Sequence, residues 1–326
     1  MNLDALWERI FSEDTAQVRR AWEALPHEDR RGMRAFLRRA RADVERVDAQ
    51  RAAAQFALGV IDELPQGALA FARDLARETG ARLKAARSGY AVATKPDGTL
   101  VTEIDVETDR ALGQAVRARY PGHGVLSEEQ DKVFGDHEWC WVIDPIDGTT
   151  NFAAGFPVWG VLIALLHYGD TVMGVSEFPP LGMQYYAERG RGAWLNDAPI
   201  QASAATRLQP NQLFTACSRT TKRGILRIPG KLRSPGSTGF DLCAVASGAC
   251  VGSVNLTVHV WDIAAAEVIV TEAGGIMEIC DGNGYTAPLF PLQPGTDYAS
   301  VVFTVLAACT PDLFRDAQER LGSTVM

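Results

Sequence analysis

The chain has 326 residues, of which 47% are apolar and 22% are charged, and its net charge at pH 7 is −8. This composition is typical of a globular protein long enough for two domains, and it is too apolar for a disordered chain. The negative charge disfavours a nucleic acid as the main partner. The most apolar stretches, 158–167 and 261–270, are about half as long as a membrane-spanning helix, so we expect no membrane partner.

The N-terminus and the cysteines indicate a cytoplasmic location. Residues 1–9 contain Asp4 and Glu8 instead of the basic and apolar segments of a secretory signal. The six cysteines are scattered, and no two of them are separated by only two residues. Cysteines in this pattern are typical of small buried side chains in a reducing compartment, so we expect free thiols.

Residues 1–65 are predicted to form an N-terminal helical extension. Val18, Trp22 and Leu25 recur at helical spacing before Pro26. Apolar residues then recur at three- and four-residue steps, which predicts one long helix over 27–64. The extension would be a helical hairpin that packs on the rest of the protein or on a second subunit; an arm that binds a partner is the alternative.

From Gln66 onwards, helical and strand patterns are mixed. Helices are predicted over 67–83, 107–118, 240–249 and 262–273, and strands over 139–143, 158–167, 171–178, 184–188 and 193–195. Such an order favours layered helices and sheets, in an α+β or α/β arrangement, over a simple doubly wound sheet. The polar, turn-rich segment 196–207 would divide this region into an α+β metal-binding half, 66–195, and an α/β half, 196–326, that completes the active site.

The strongest chemical motif follows the apolar strand at 141–143. Asp144 comes where this strand ends, and Pro145 restricts the turn that follows. The carbonyl of Ile146 and the carboxylate of Asp147 can then face the same side as Asp144. Two carboxylates and a carbonyl are the ligands that hard divalent cations prefer. From the spacing alone, a turn that caps the strand explains the motif equally well.

Residues 144–152 resemble the signature of the inositol monophosphatase family, whose members are metal-dependent, lithium-sensitive phosphatases. Three further segments resemble family elements in the same order: 100–105, 127–129 and 259–265, the last followed by 271–275. Together the resemblance extends over roughly residues 66–310. It implies a layered αβαβα sandwich with the N-terminal helices added to it, Mg²⁺ as the cofactor, and a homodimer.

The resemblance also implies a set of metal ligands. Glu128, Asp144 and the Ile146 carbonyl would hold the first Mg²⁺. Asp144, Asp147 and Asp262 would hold the second, so that Asp144 would bridge the two ions. Without the resemblance, Glu128 would be explained as a solvated surface charge and Asp262 as the N-cap of a helix.

Catalytic and substrate-binding roles follow from the same resemblance. A water molecule activated by the metals and oriented by Glu128 and by the Thr149–Asp105 pair would attack phosphorus. The amides of Gly148 and Thr149 would hold phosphate oxygens. The implied substrate-binding residues lie on the phosphate or the alcohol side of the pocket, and they are Asp147, Gly148, Thr149, Gly236, Ser237, Thr238, Asn255 and Asp262.

The alcohol side departs from the family pattern. Inositol-cleaving members carry a glutamate seven residues before the position of Asp262, where this chain has Asn255, and the side chains of 236–238 also differ. An amide still forms hydrogen bonds with a polyol, although it carries no charge. The leading prediction is hydrolysis of a small phosphomonoester, first of all inositol monophosphate, by two- or three-metal activation of water. Histidinol phosphate, nucleotide 3′-phosphates and sugar bisphosphates are alternative substrates, and a regulatory binding protein of the transcription machinery is an alternative of another class.

Overall fold

A computed structural model describes residues 3–43, 46–86, 92–94, 100–222, 228–280 and 286–321. The chain divides into two compact units, Met1–Gln66 and Gly67–Met326. Among the described residues, no helix combines the length and the hydropathy needed to cross a membrane. All six cysteines are free thiols, as the sequence predicts.

The first unit is helical throughout its described residues. Its helices are α1 (Leu3–Ile10), α2 (Thr15–Glu23), α3 (His27–Ala42) and α4 (Asp48–Ile61). The single helix expected over 27–64 is wrong, because α3 ends at Ala42 and the next residue, Asp43, is extended at φ −75° and ψ 106°. Aspartate and valine are poor helix formers, and they are concentrated between positions 43 and 48. The break allows α4 to fold back and pack on α3.

The core of the first unit combines apolar side chains with one buried ion pair. Ile10, Val18 and Leu37 are fully buried. The Arg34 guanidinium donates two hydrogen bonds to the Asp62 carboxylate, of 2.7 and 2.8 Å, and so links α3 to the end of α4. The pair is almost completely enclosed, with exposed side-chain fractions of 1% and 7%. This unit therefore has a core of its own.

The described residues of the second unit form two large sheets, one two-stranded sheet and seven helices. The helices are α5 (Ala68–Ala85), α6 (Glu103–Arg119), α7 (Thr149–Ala154), α8 (Ser218–Lys222), α9 (Thr238–Ala246), α10 (Val260–Glu272) and α11 (Pro311–Arg320). The strands are β1 (Val92–Thr94), β2 (Leu100–Thr102), β3 (Gly124–Ser127), β4 (Trp139–Asp147), β5 (Gly160–His167), β6 (Asp170–Phe178), β7 (Met183–Glu188), β8 (Ala193–Leu195), β9 (Ala198–Ile200), β10 (Leu213–Ala216), β11 (Lys231–Arg233), β12 (Gly252–Val258), β13 (Ile276–Cys280), β14 (Thr286–Ala287) and β15 (Phe303–Ala308). Strands β1 and β2 form a separate antiparallel pair.

The two large sheets differ in topology. The first sheet has the order β3-β4-β5-β6-β7-β8-β9, in which only the edge strand β3 pairs in parallel. The second has the order β11-β10-β12-β15-β13-β14 and is mixed, because β10 is parallel to both β11 and β12. From β4 to β9, each strand of the first sheet pairs antiparallel with the next strand along the chain. Such strands are joined by short turns, which explains why the sequence predicts them as short apolar segments separated by turns.

The helices occupy three layers around these sheets. Helices α5 and α6 pack on one face of the first sheet. Helices α9 and α10 lie between the sheets, and α11 covers the outer face of the second sheet. The second unit is therefore the predicted αβαβα sandwich.

Helix α10 lies close to the first sheet because both surfaces carry small residues. Ala264, Ala265 and Ala266 are buried in α10. A Cβ atom at Gly174 of β6 would stand only 2.2 Å from the carbonyl oxygen of Ala265. The backbone of α10 therefore rests directly against β6, and the first turn of the helix, which carries Asp262, is held by this contact.

Candidate active site

The end of β4 carries two buried aspartates on either side of a β-bulge. The pairing of β4 with β5 shifts between Asp144, which faces Leu162, and Asp147, which faces Gly160. In a regular strand, residues three apart point to opposite faces, whereas the extra residue of a bulge changes the alternation. The backbone amide of Ile146 donates to Oδ1 of Asp144 at 3.0 Å, which stabilises the turn.

Asp147 is held by the first turn of α9. The Ser237 hydroxyl and the Gly239 amide donate to its Oδ2, and the Thr238 amide donates to its Oδ1 at 3.0 Å. Ser237 is also the N-cap of α9, since its side chain accepts a hydrogen bond from Phe240 N. Burial raises the pKa of Asp147 to about 6, although the three donors favour its charged form. The predicted residues Ser237 and Thr238 thus contact the predicted ligand Asp147.

Asp144 is surrounded by other acids. Burial raises its pKa well above the usual range, and the nearby charges of Glu128, Asp147, Asp262 and Asp105 raise it further. The structure therefore brings together the five acidic residues that the sequence analysis selected from four separate segments. A buried carboxyl among like charges becomes easier to ionise when a cation is present.

Glu128 directly follows β3. Because β3 is parallel to β4, with Ser127 opposite Ile143, the chain after β3 emerges beside Asp144. The Glu128 amide continues the pairing through a 3.3 Å hydrogen bond to Ile143 O. Glu128 is half-buried, in agreement with a carboxylate presented at a site instead of on an open surface.

Gly148 and Thr149 form the turn from β4 into α7. Gly148 has φ +88°, and a Cβ there would approach the carbonyl oxygens of Val158 and Gly236 to 3.1 and 3.2 Å, so glycine is required. The Thr149 hydroxyl lies 3.0 Å from Ile146 O and 3.3 Å from Oδ1 of Asp105. One hydroxyl has one proton, so Thr149 can donate to only one of these oxygens at a time.

Asp262 lies in the first turn of α10 but is not its N-cap. The N-cap is His259, whose amide donates to Oδ2 of Asp262 at 2.7 Å in a capping box. The His259 ring is anchored by the carbonyls of Tyr298 and Val301, which lie 3.3 and 3.1 Å from Nδ1. The segment before β15 therefore fixes the residue that orients Asp262.

Asn255 is fully buried in β12. Its Nδ2 donates to the Ser253 hydroxyl at 2.9 Å, while its Oδ1 has no hydrogen-bond partner in the described parts of the chain. A buried amide oxygen without a partner is costly, so water or a ligand hydroxyl is expected to supply a donor. Its contact with substrate stays a prediction.

Two further acids were missed by the sequence analysis. Asp109 lies one helical turn after Asp105 in α6 and is buried. Asp241 is buried in α9, and its Oδ1 has no hydrogen-bond partner among the described residues. The available signals were the four-residue spacing between Asp105 and Asp109, and a lone acid within the apolar helix predicted over 240–249.

The donor set consists of oxygen atoms only. In the described part of the chain, no three acidic, histidine or cysteine side chains already surround a common metal position. Two of the proposed ligands are engaged in hydrogen bonds instead. Asp147 accepts from the start of α9, and Asp262 accepts from His259 N. Each carboxylate oxygen has two lone pairs, so these hydrogen bonds leave acceptor capacity for a cation. Several carboxylates and one backbone carbonyl lie near Asp144, whose negative charge is repelled by the other acids. Such a set of oxygen ligands suits a hard divalent cation.

Comparisons with known proteins give the same family as the motifs. The model of the inositol monophosphatase family matches residues 65–313. The Nus factor SuhB of Pasteurella multocida is 35% identical over 209 residues, which are 61% of this chain and 78% of that protein. The histidinol-phosphatase of Chlorobaculum parvum is 36% identical over 217 residues, which are 61% of this chain and 82% of that protein.

A solved structure supports the same assignment. An IMPase of Thermotoga maritima superimposes with a TM-score of 0.67 at 28% identity, and the match covers 79% of this chain and 97% of that one. The family model begins just before α5 and ends inside α11, so it spans both large sheets, helices α5 to α10 and every acid of the site. The chain belongs to the inositol monophosphatase family, and it is a phosphomonoester hydrolase that acts on small phosphorylated substrates.

Proposed function

We propose that this phosphatase uses Mg²⁺ and that inositol monophosphate is the first candidate among its substrates. The observation that carries the proposal is the acidic surrounding of Asp144, which is buried among the charges of four other carboxylates. A phosphate dianion cannot approach such a group unless cations lie between them. The family assignment supports the same chemistry.

The proposed metal ligands are those implied by the resemblance. Glu128, Asp144 and the Ile146 carbonyl would hold one ion, and Asp144, Asp147 and Asp262 would hold another. When bound, Mg²⁺ would offset the charge of the phosphate and of the leaving oxygen, and would lower the pKa of water.

The chain itself would bind and orient the reactants. The Thr149 hydroxyl, when it donates to Asp105, keeps the capacity to accept a hydrogen bond, and we propose that it accepts one from water. Glu128 would accept from the same water. The amides of Gly148 and Thr149, which start α7, would donate to phosphate oxygens.

The alcohol half of the substrate is less determined. Gly236, Ser237, Thr238 and Asn255 are the proposed residues on this side. An uncharged Asn255 favours a broad choice of alcohols, since a hydrogen bond to a charged partner is worth roughly 1.5–3 kcal/mol and one between neutral partners about 1 kcal/mol. Histidinol phosphate is the second candidate, because a relative named histidinol-phosphatase is 36% identical to this chain.

A regulatory role is the candidate of another class. It is supported by the similarity to a protein named Nus factor SuhB, and it is compatible with catalysis. A homodimer is a further proposal, taken from the family resemblance. Light scattering of the full chain would measure the oligomeric state.

Phosphate release from a panel of substrates tests the proposed function. Inositol 1-phosphate, histidinol phosphate, a nucleotide 3′-phosphate and a sugar bisphosphate would be compared with Mg²⁺, with excess EDTA, and with Li⁺. We expect turnover that EDTA abolishes and Mg²⁺ restores, with inositol 1-phosphate among the good substrates. Full activity in EDTA would contradict the metal mechanism, and strict selectivity for histidinol phosphate would replace the first candidate by the second.

A further inference from the structure

Helix α6 carries two buried carboxylates that contact both loops of the site. Asp105 and Asp109 are each 1% exposed, and their four-residue spacing places them on one face of the helix. Asp105 lies 3.3 Å from the Thr149 hydroxyl, next to the β4 turn. Asp109 faces the other loop, which follows β3.

Asp109 binds both neighbours of Glu128. The Ser127 hydroxyl donates to its Oδ1 at 2.8 Å, and the Glu129 amide donates to its Oδ2 at 2.8 Å. Both oxygens of the Asp109 carboxylate therefore accept hydrogen bonds, one from the residue before Glu128 and one from the residue after it. We propose that Asp109 is a positioning residue that holds Glu128 in place for Mg²⁺.

The proton of Ser127 has a defined direction, which makes the contact specific for an acceptor. Its hydroxyl oxygen accepts from Asp131 N at 3.2 Å, and its own amide donates to Asp131 O at 2.7 Å. The hydroxyl proton is therefore free to go to Asp109. A carboxylate accepts from Ser127 and Glu129 together, whereas an asparagine has one acceptor oxygen and must turn its NH₂ group towards one of these donors.

Glu128 itself makes a weaker backbone contact with β4. Its amide bonds to Ile143 O at 3.3 Å, which is long for a sheet hydrogen bond. The bonds from Asp109 fix the backbone on both sides of this weak contact. Loss of Asp109 would let Glu128 adopt several positions, and ordering it again would reduce the affinity for Mg²⁺.

This inference rests on the proposed function, because it assigns Glu128 to a Mg²⁺ site. Three variants of the full chain test it: Asp109→Ala, Asp109→Asn and, as a matched control, Glu177→Ala. Glu177 is also a buried acid of the second unit, and it bonds to Gln184 Nε2 at 3.0 Å beside α5. Calorimetric titration with Mg²⁺ alone gives the Kd, amide hydrogen exchange follows Glu129, and thermal unfolding in EDTA measures stability.

We expect Asp109→Ala to raise the Kd for Mg²⁺ by about tenfold or more, and Asp109→Asn to raise it less. Exchange at the Glu129 amide should be faster in Asp109→Ala. The control should lower the Tm and leave both the Kd and the Glu129 exchange unchanged. A purely structural role would lower the Tm of Asp109→Ala and leave its Kd for Mg²⁺ at the wild-type value, as in the control.

A folded Asp109→Ala protein with the Kd of the wild type would overturn the inference. If that variant does not fold, Asp109→Asn and Ser127→Ala decide the question by the same Kd, and unchanged values in both would overturn it. Measurements of Mg²⁺ binding and of phosphate release by the wild type distinguish a failure of the proposed function from a failure of the role proposed for Asp109. Mg²⁺ binding without phosphate release would remove the proposed function, and the Kd values would still judge the role of Asp109.

Discussion

At the scale of single residues, Asp144 and Asp147 are both buried, but their carboxylates have different surroundings. Asp147 receives three hydrogen bonds from the start of α9, and its pKa is raised to about 6. Asp144 receives a hydrogen bond from Ile146 N and lies among four other acids, and its pKa is raised well above the usual range. Of these two aspartates, Asp144 therefore depends more on a cation for its ionised form.

Replacement of this carboxyl tests the metal assignment. Asp144→Asn keeps the shape of the side chain but removes the proposed bridging charge, so we expect Mg²⁺ binding to weaken and kcat to fall by orders of magnitude. Calorimetric titration with Mg²⁺ and phosphate release at saturating Mg²⁺ would measure the two effects. Near-normal turnover and affinity in Asp144→Asn would show that Asp144 is not the bridging ligand.

Asp241 is a buried acid whose Oδ1 has no hydrogen-bond partner in the described segments, and the pH dependence of stability tests the effect of its burial. Burial raises its pKa well above the usual range, and the nearby negative charge of Asp147 adds to the effect. The pKa of Asp241 is higher in the folded state than in the unfolded state. The free energy of unfolding of the wild type is therefore larger at low pH and falls as the pH rises above about 4. Asp241→Asn cannot ionise and avoids this loss.

We therefore expect the free energy of unfolding of Asp241→Asn, relative to the wild type, to increase from pH 5 to pH 8. Urea unfolding in EDTA measures this difference without linkage to metal. The matched control is Asp74→Asn, since the Asp74 side chain is 67% exposed in α5. The difference for the control should be flat, and an equally flat difference for Asp241→Asn would refute the argument.

At the scale of elements, the sequence predicts those helices and strands whose formation depends on local patterns of apolar and polar residues. The strand at 193–195 and the helix predicted over 262–273 agree with β8 and α10, because alternation and small apolar residues are visible along the chain. Helix α6 begins at Glu103, four residues before the expected start, since its first turn is acidic and carries no apolar stripe. The roles of Asp109 and Asp241 could not be predicted, because their surroundings come from distant segments.

The close approach of α10 to β6 supplies a prediction about an element. Gly174→Ala would place a methyl group 2.2 Å from Ala265 O, a backbone atom that cannot turn away. We expect α10 to shift, with a loss of about 1–3 kcal/mol in the free energy of unfolding. Because Asp262 lies in the first turn of α10, the Mg²⁺ concentration for half-maximal activity should also rise.

The control for this shift is Gly122→Ala, since a Cβ at Gly122 would have no atom within 4 Å. Urea unfolding and the Mg²⁺ dependence of phosphate release should leave Gly122→Ala close to the wild type. If Gly174→Ala is as stable as the control, the contact between α10 and β6 does not limit the packing.

At the scale of the whole molecule, the chemistry and the N-terminal helices belong to different units. Every candidate site residue lies in Gly67–Met326, and the family match begins at residue 65. The first unit, Met1–Gln66, has its own buried residues and the enclosed pair of Arg34 and Asp62.

Removal of the first unit tests whether the sandwich is catalytically complete. A chain that starts at Gly67 retains both sheets and all the proposed ligands, so we expect Mg²⁺-dependent phosphate release with kcat/KM close to that of the full chain. Exposed apolar surface or a changed oligomeric state should appear as lower solubility or a different mass in light scattering. Circular dichroism would establish that the shortened chain is folded. A folded and soluble protein without activity would contradict the prediction, and would assign the N-terminal helices a part in the chemistry.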